Sequence, residues 1–140
     1  MLVVLALVVL AVGCGRKPAS LHGIWKPDVD KGWAAMKDGV AVTALPEAAR
    51  KSFEDGFRKT MWASSFTFSE GKLAFSLGPV SQEGEFKVIS SKGDAWDVEV
   101  KNSTMDKPMA AKLTWTDDDH VTLGWTVNGL PVTFYLVRQK

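Results

Sequence analysis

Residues 109–136, MAAKLTWTDDDHVTLGWTVNGLPVTFYL, decide the fold of this chain. Apolar side chains alternate with polar ones in three runs, at 109–115, 121–125 and 132–136. A period of two residues is typical of a strand that buries one face. The acidic turn at 117–119 separates the first two runs. Asn128 and Gly129 separate the last two and favour a tight hairpin turn, because both residues readily adopt positive φ. The stretch therefore predicts three consecutive antiparallel strands.

The same alternation extends back towards residue 64. Four further runs lie at 66–68, 73–77, 86–88 and 96–100. Breaks that contain glycine, near Gly71, at 78–79 and near Gly93, separate them. The sequence thus predicts about seven antiparallel strands in this part of the chain, each with one apolar face and one polar face.

Two helices are predicted before these strands. Pro27 and Asp28 begin a short one, which carries Val29, Trp33 and Met36 on one face and has Gly39 available to end it. A longer one begins at Pro46 and Glu47, and its apolar residues recur every four positions, at Ala49, Phe53, Phe57 and Met61. We therefore expect a mainly β domain, an antiparallel meander that closes into a barrel or half-barrel, with two N-terminal helices as a lid.

Gly23, Ile24 and Trp25 form a G-x-W motif at the start of the domain, and alternation places Arg138 on the same face as Phe134. This arrangement resembles the calycins, the superfamily of lipocalins and fatty-acid-binding proteins, over residues 21–138. The resemblance implies that Trp25 closes one end of the barrel and that Arg138 packs across its ring. The inward Arg-x-Tyr pair that binds fatty acids in that superfamily has no match, because Tyr135 precedes Arg138 and takes the opposite face.

The first thirteen residues carry no charged side chain and are too few to cross a membrane as a helix, which suits a signal peptide. The segment ends in Ala11, Val12, Gly13 and Cys14, which resembles the bacterial lipobox. We therefore expect a signal peptide at 1–13, a lipidated tether at 14–20 and a β domain at 21–140. The alternative is that Cys14 is an ordinary thiol at the end of a signal anchor. A start upstream of Met1 also stays open, because no Lys or Arg precedes the apolar run.

Lipid on Cys14 would hold the protein to a membrane of the bacterial envelope, facing the periplasm or the exterior. No Asp follows Cys14 directly, which favours the outer membrane. Cys14 is the only cysteine, so no disulfide can form within the chain. The net charge of +1 and the absence of a basic block argue against nucleic acid as a partner. We expect a monomer.

The residue pattern offers little for catalysis, so we expect no enzyme, no catalytic residues and no cofactor. The chain lacks a G-x-S-x-G motif and a phosphate-binding glycine loop. His120 follows the acidic turn at 117–119, but we interpret that turn as a solvated hairpin and expect no metal site.

Two interpretations of the many aromatic residues stay open. In the first, they line a site for a lipid or another apolar small molecule. In the second, they fill the core of a structural or protein-interaction module, because a barrel of eight strands is barely wide enough for its own side chains. A third possibility, carbohydrate binding, depends on exposure of Trp33 or Trp62. The candidate ligand-binding residues are Trp25, Phe53, Phe57, Phe75, Trp96, Trp115, Trp125 and Phe134.

Overall fold

The alternating segments form eight antiparallel strands that close into a barrel in the computed structural model, which describes residues 20–127 and 129–140. The predicted signal peptide, Cys14, most of the tether and Asn128 lie outside these described residues. The barrel and the helices between its first two strands confirm the predicted fold class.

The strands are β1 Gly23–Pro27, β2 Ser65–Ser69, β3 Lys72–Leu77, β4 Val80–Lys92, β5 Ala95–Lys101, β6 Met109–Asp117, β7 His120–Val127 and β8 Leu130–Arg138. The helices are α1 Val29–Met36, α2 Val40–Thr43 and α3 Glu47–Trp62. Within the described ranges, no helix is long and apolar enough to cross a membrane.

Each strand pairs with the next one along the chain, and β1 closes the barrel by pairing with β8. Because the strands alternate in direction, the barrel has two distinct ends. The sealed end carries the β2–β3, β4–β5 and β6–β7 turns together with Arg138. The mouth carries the other three turns and the connections from β1 to the helices and from the helices to β2.

β4 begins six residues before its predicted apolar run because it serves two neighbours in turn. Residues 80–85 pair with β3, and residues 85–92 pair with β5. The first part is polar and therefore gave no alternating signal. Gly84 lies near the change of partner, where a Cβ atom would stand 2.8 Å from the Lys101 carbonyl oxygen, so only glycine allows the two strands this approach.

Both predicted helices form, and their signals act locally. Asp28 caps α1 by accepting a hydrogen bond from the Lys31 backbone N–H at 3.0 Å. The Asp28 backbone N–H donates to the Tyr135 carbonyl at 2.7 Å, so the pairing of β1 with β8 continues up to the first turn of α1. The short α2 was not predicted.

The two longer helices pack on each other, and α1 also packs on β8 and α3 on β1. The Trp33 ring of α1 lies 6.2 Å from the ring of Phe53 and 5.8 Å from the ring of Phe57. Arg58 of α3 adds ion pairs to Asp30 at 2.7 Å and to Glu54 at 2.9 Å. The ring contacts and the Arg58–Asp30 pair join α1 to α3, whereas the Arg58–Glu54 pair lies within α3.

Ser64 joins the end of α3 to the turn between β3 and β4. It is fully buried, its hydroxyl donates to the Thr60 carbonyl at 2.6 Å, and the Gly78 backbone N–H donates to the same hydroxyl at 3.2 Å. One side chain thus links the helices to the mouth of the barrel.

Replacing Ser64 by alanine leaves the Gly78 N–H and the Thr60 carbonyl without this partner. We expect Ser64→Ala to lower the free energy of unfolding by about 1–3 kcal/mol, measured by urea denaturation. The control is Ser65→Ala, which removes only a part-buried hydroxyl pair with Ser76 and should cost less. Equal losses for the two variants would contradict the role given to Ser64.

Candidate functional site

The sealed end is held by the side chain of Arg138. Its guanidinium carbon lies 4.4 Å from the centroid of the Trp25 ring. Its N–H groups donate to the carbonyl oxygens of Ser20 at 2.6 Å, His22 at 3.0 Å and Asp118 at 3.1 Å. In this position the cation is stabilised by the π face of the indole, and the three carbonyls replace the hydrogen bonds that it would make to water. The structure therefore brings together the two residues that the sequence predicted as a barrel-closing pair.

Three tryptophan rings, including that of Trp25, pack together inside the barrel at this end. Trp25 is fully buried, and its Nε1–H donates to the Leu21 carbonyl at 2.9 Å. The ring of Trp115 meets the ring of Trp25 edge to face at 5.9 Å and the ring of Trp96 at 5.5 Å. This packing leaves the sealed end unsuited to entry by a ligand.

A second aromatic cluster lies towards the mouth. Phe66, Phe75, Trp125 and Phe134 have ring centroids 5.2–6.3 Å apart. Phe66 and Phe134 are buried, whereas Phe75 is only partly buried although it packs on the core. The mouth-side cluster therefore keeps some apolar surface accessible.

The accessible apolar surface continues to the rim of the mouth. Four core-packed side chains are only partly buried there, and each comes from a different element: Met61, Leu77, Met109 and Val132. Sequence reasoning did not include them among the candidate ligand-binding residues. The alternation could have found the three on strands, because each is an inward position next to a mouth-end turn.

The predicted ligand-binding residues do not form one pocket. Phe75, Trp125 and Phe134 lie in the mouth-side cluster, while Trp25, Trp96 and Trp115 lie in the sealed end. Phe53 and Phe57 pack against Trp33 of α1, and the side chain of α3 that packs on the barrel core is Met61. Phe53 is itself exposed.

Two buried indole N–H groups have no hydrogen-bond partner among the described residues, Trp115 Nε1 and Trp125 Nε1. Most buried donors in folded proteins find an acceptor, so an unpaired one calls for an explanation. Trp115 makes T-shaped ring contacts with Trp25 and Trp96. Trp125 instead lies beside the accessible surface of Phe75 and Val132.

The acidic turn takes part in the structure of the sealed end. Asp117 Oδ1 lies 2.7 Å from Nδ1 of His120, and Asp119 pairs with Arg138 at 3.6 Å and with Lys140 at 3.4 Å. Within residues 20–127 and 129–140, no group of three or more His, Cys, Asp or Glu side chains is placed to hold a metal ion.

The two tryptophans considered for carbohydrate binding differ in exposure. Trp33 is buried between the helices, whereas Trp62, at the end of α3, has 68% of its surface exposed. Trp62 alone keeps that possibility open.

Arg138→Lys keeps the charge but loses the planar array of donors that reaches three carbonyls. We expect it to lower the free energy of unfolding by about 2 kcal/mol and to change the near-ultraviolet circular dichroism of the buried tryptophans. Lys140→Met is the matched control, because it removes a largely exposed cation from Asp119 and should cost less than about 0.5 kcal/mol. A loss for Arg138→Lys no greater than that of the control would contradict its closing role.

The pKa of Asp117 is held below its ordinary value by the hydrogen bond with His120 and, next, by the backbone N–H of Asp119. A carboxyl whose native pKa is lowered stabilises the fold above its unfolded pKa of about 3.9 and loses this contribution as pH falls through the native pKa. We expect Asp117→Asn to be less stable than wild type at pH 7. The difference, followed by urea midpoints, should begin to shrink below about pH 4 and vanish once the pH lies below the native pKa, while Asp106→Asn, in an exposed loop, serves as control. A difference that does not change with pH would contradict this assignment.

The eight-stranded closed barrel of the described residues is compatible with a calycin-like fold. The helices between β1 and β2 and the contact of Trp25 with Arg138 agree with the layout that the resemblance implied. Comparison of the chain with protein-family models, curated proteins and solved structures finds no match.

Proposed function

We propose that this protein is a lipid-anchored, noncatalytic lipoprotein of the bacterial envelope that binds a lipid or another apolar small molecule through the mouth of its barrel. The observation that carries the proposal is the partial exposure of core-packed apolar side chains at that end. Phe75, Leu77, Met109 and Val132 all keep surface that further burial would stabilise. An apolar guest would bury it.

The contrast between the two ends supports a single entrance. Trp25 and Trp115 are buried and in contact, and Arg138 covers Trp25. A ligand that enters from the helix side would therefore be stopped inside the barrel by the aromatic rings of the sealed end. Barrel mouths with mostly apolar linings are favoured places for small-molecule sites.

The start of the described chain supports an orientation for the anchored protein. The Ser20 carbonyl is held by Arg138 at the sealed end, so a lipid on Cys14 would lie on that side. The six residues at 15–20 span at most about 20 Å. A barrel with nine-residue strands, tilted by about 40°, is roughly 23 Å tall. The mouth would thus face away from the membrane that holds the lipid.

The filled-core interpretation has its own support. Phe66 is fully buried and makes ring contacts with Phe75, Trp125 and Phe134, so much of the interior is occupied by side chains. In that case function would move to exposed apolar residues, of which Val40 and Trp62 on the helices are the most accessible. The alternative function is a structural or protein-interaction module of the envelope.

Blocking the mouth separates the two proposals. Val132→Trp adds an indole at a partly buried inward position and should weaken the binding of a neutral apolar dye, N-phenyl-1-naphthylamine, at least tenfold. Thr133→Trp adds the same indole at the next, exposed position and should leave dye binding unchanged. Both affinities are measured by fluorescence titration, with urea denaturation showing that each variant is folded.

Native mass spectrometry of the protein from its own host provides the second readout. A bound apolar mass of a few hundred daltons, lost on denaturation, supports the ligand-carrier function. Equal native and denatured masses, together with no dye binding by the wild type, would contradict it and favour the filled-core module.

The lipid anchor is tested at its attachment residue. Cys14→Ser should move the protein from the membrane fraction to the soluble fraction and abolish incorporation of labelled palmitate, because no other cysteine is available. Ser20→Ala, six residues further on, should leave both unchanged. Labelling of the Cys14→Ser variant at the wild-type level would rule out lipidation at Cys14.

A further inference from the structure

Trp125 carries an unsatisfied hydrogen-bond donor at the place where the barrel opens. Only 6% of its surface is exposed, and its Nε1–H has no partner among the described residues. The indole lies within the mouth-side cluster, and its strand partner on β8 is Val132, which is partly buried. A buried donor of this kind is costly unless an acceptor reaches it.

The neighbouring side chains do not supply that acceptor. The rings around Trp125 belong to Phe66, Phe75 and Phe134, and the cross-strand neighbours are Ala111 and Val132. All five side chains are apolar. A guest whose remaining surface matches an apolar lining could supply the missing acceptor oxygen.

The absence of charge in the described part of this lining restricts the chemical class of the ligand. The described core-packed positions around the mouth are hydrocarbon, aromatic or thioether, and the polar pair nearest the start of β4, Gln82 with Asn102, is neutral. Arg138 also faces inward, but at the sealed end, where it donates to backbone carbonyls. A carboxylate beside Trp125 would lose its water without gaining a cation, which is strongly unfavourable.

Building on the proposed function, we infer that the ligand is an uncharged apolar molecule with a carbonyl-type acceptor, such as a fatty-acyl ester or a ketone, which accepts a hydrogen bond from Trp125 Nε1. This assignment excludes a free fatty acid in its ionised form as the preferred ligand. It also gives Trp125 a role in selecting the ligand that its neighbours do not share.

Trp115 provides a matched control for this role. It is also a buried tryptophan with an unpartnered Nε1, and 5% of its surface is exposed. It lies at the sealed end between Trp25 and Trp96, four residues along β6 from Ala111, the strand partner of Trp125. That spacing amounts to roughly 13 Å along the strand. Replacing either tryptophan by phenylalanine removes one N–H and some ring volume, but only Trp125→Phe alters the mouth.

The experiment compares three competitors of similar chain length in displacing N-phenyl-1-naphthylamine at pH 8, namely methyl decanoate, ionised decanoic acid and undecane. We expect the ester to bind at least tenfold more tightly than the acid. It should also bind about two- to tenfold more tightly than the alkane, which is the range that one hydrogen bond provides. In Trp125→Phe the preference for ester over alkane should fall to about one, while Trp115→Phe should keep it.

Two results would overturn the inference and leave the proposed function standing. One is displacement by the acid at least as effective as by the ester. The other is an unchanged ester-to-alkane ratio in Trp125→Phe, which would mean that a buried water or an aromatic face satisfies the indole. Absence of binding by the dye and by all three competitors would instead overturn the proposed function and the ligand class together.

Discussion

The contact of Arg138 with Trp25 is the joint on which the closed barrel depends. β1 and β8 are the two ends of the meander, and they pair over only three positions, from Trp25 to Pro27. Left apart, they would present two open strand edges. One guanidinium covers the indole and binds carbonyls from the segment before β1 and from the β6–β7 turn. The first strand, the last strand and a turn are thereby held together.

This joint also makes the two ends of the barrel unequal. At the sealed end, Trp25 and Trp115 are buried in ring contact, and the Arg138 guanidinium donates to backbone carbonyls. The helices between β1 and β2 emerge at the opposite end, where α1 packs on β8 and Met61 of α3 packs on the barrel core. In the proposed function, the ligand would enter at the mouth, while the proposed tether at 14–20 would lie on the side of the sealed end, where Arg138 holds the Ser20 carbonyl.

Sequence patterns predicted the strands and helices well because their signals are local. A period of two marks the buried face of each strand, and Asp28 and Pro46 mark the starts of the two longer helices. The polar first half of β4 was not predicted as a strand, because it pairs with β3 without burying an apolar face.

The candidate site was harder to predict than the strands. Alternation identifies the face of the sheet on which a side chain lies, but not its position along the barrel axis. Trp115 and Trp125 were therefore assigned to one site, although they lie towards opposite ends. Helical spacing likewise identifies the apolar face of α3 but not what that face contacts, and Phe53 and Phe57 pack against Trp33 of α1.

The two interpretations of the aromatic residues, a ligand site and a filled core, can be compared at the two ends of the barrel. An eight-stranded barrel is wide enough either to be filled by its side chains or to hold one small ligand. Here Trp25 and Trp115 are buried against each other, whereas around Trp125 the side chains of Phe75 and Val132 are still partly accessible and an indole N–H is unpaired. If the barrel were only a filled core, burying the accessible surface of Phe75 and Val132 and pairing or losing the Trp125 N–H would make it more stable. At the mouth both features lie beside Met61, Leu77 and Met109, which are also partly accessible, and this larger apolar surface is what favours the proposed ligand there.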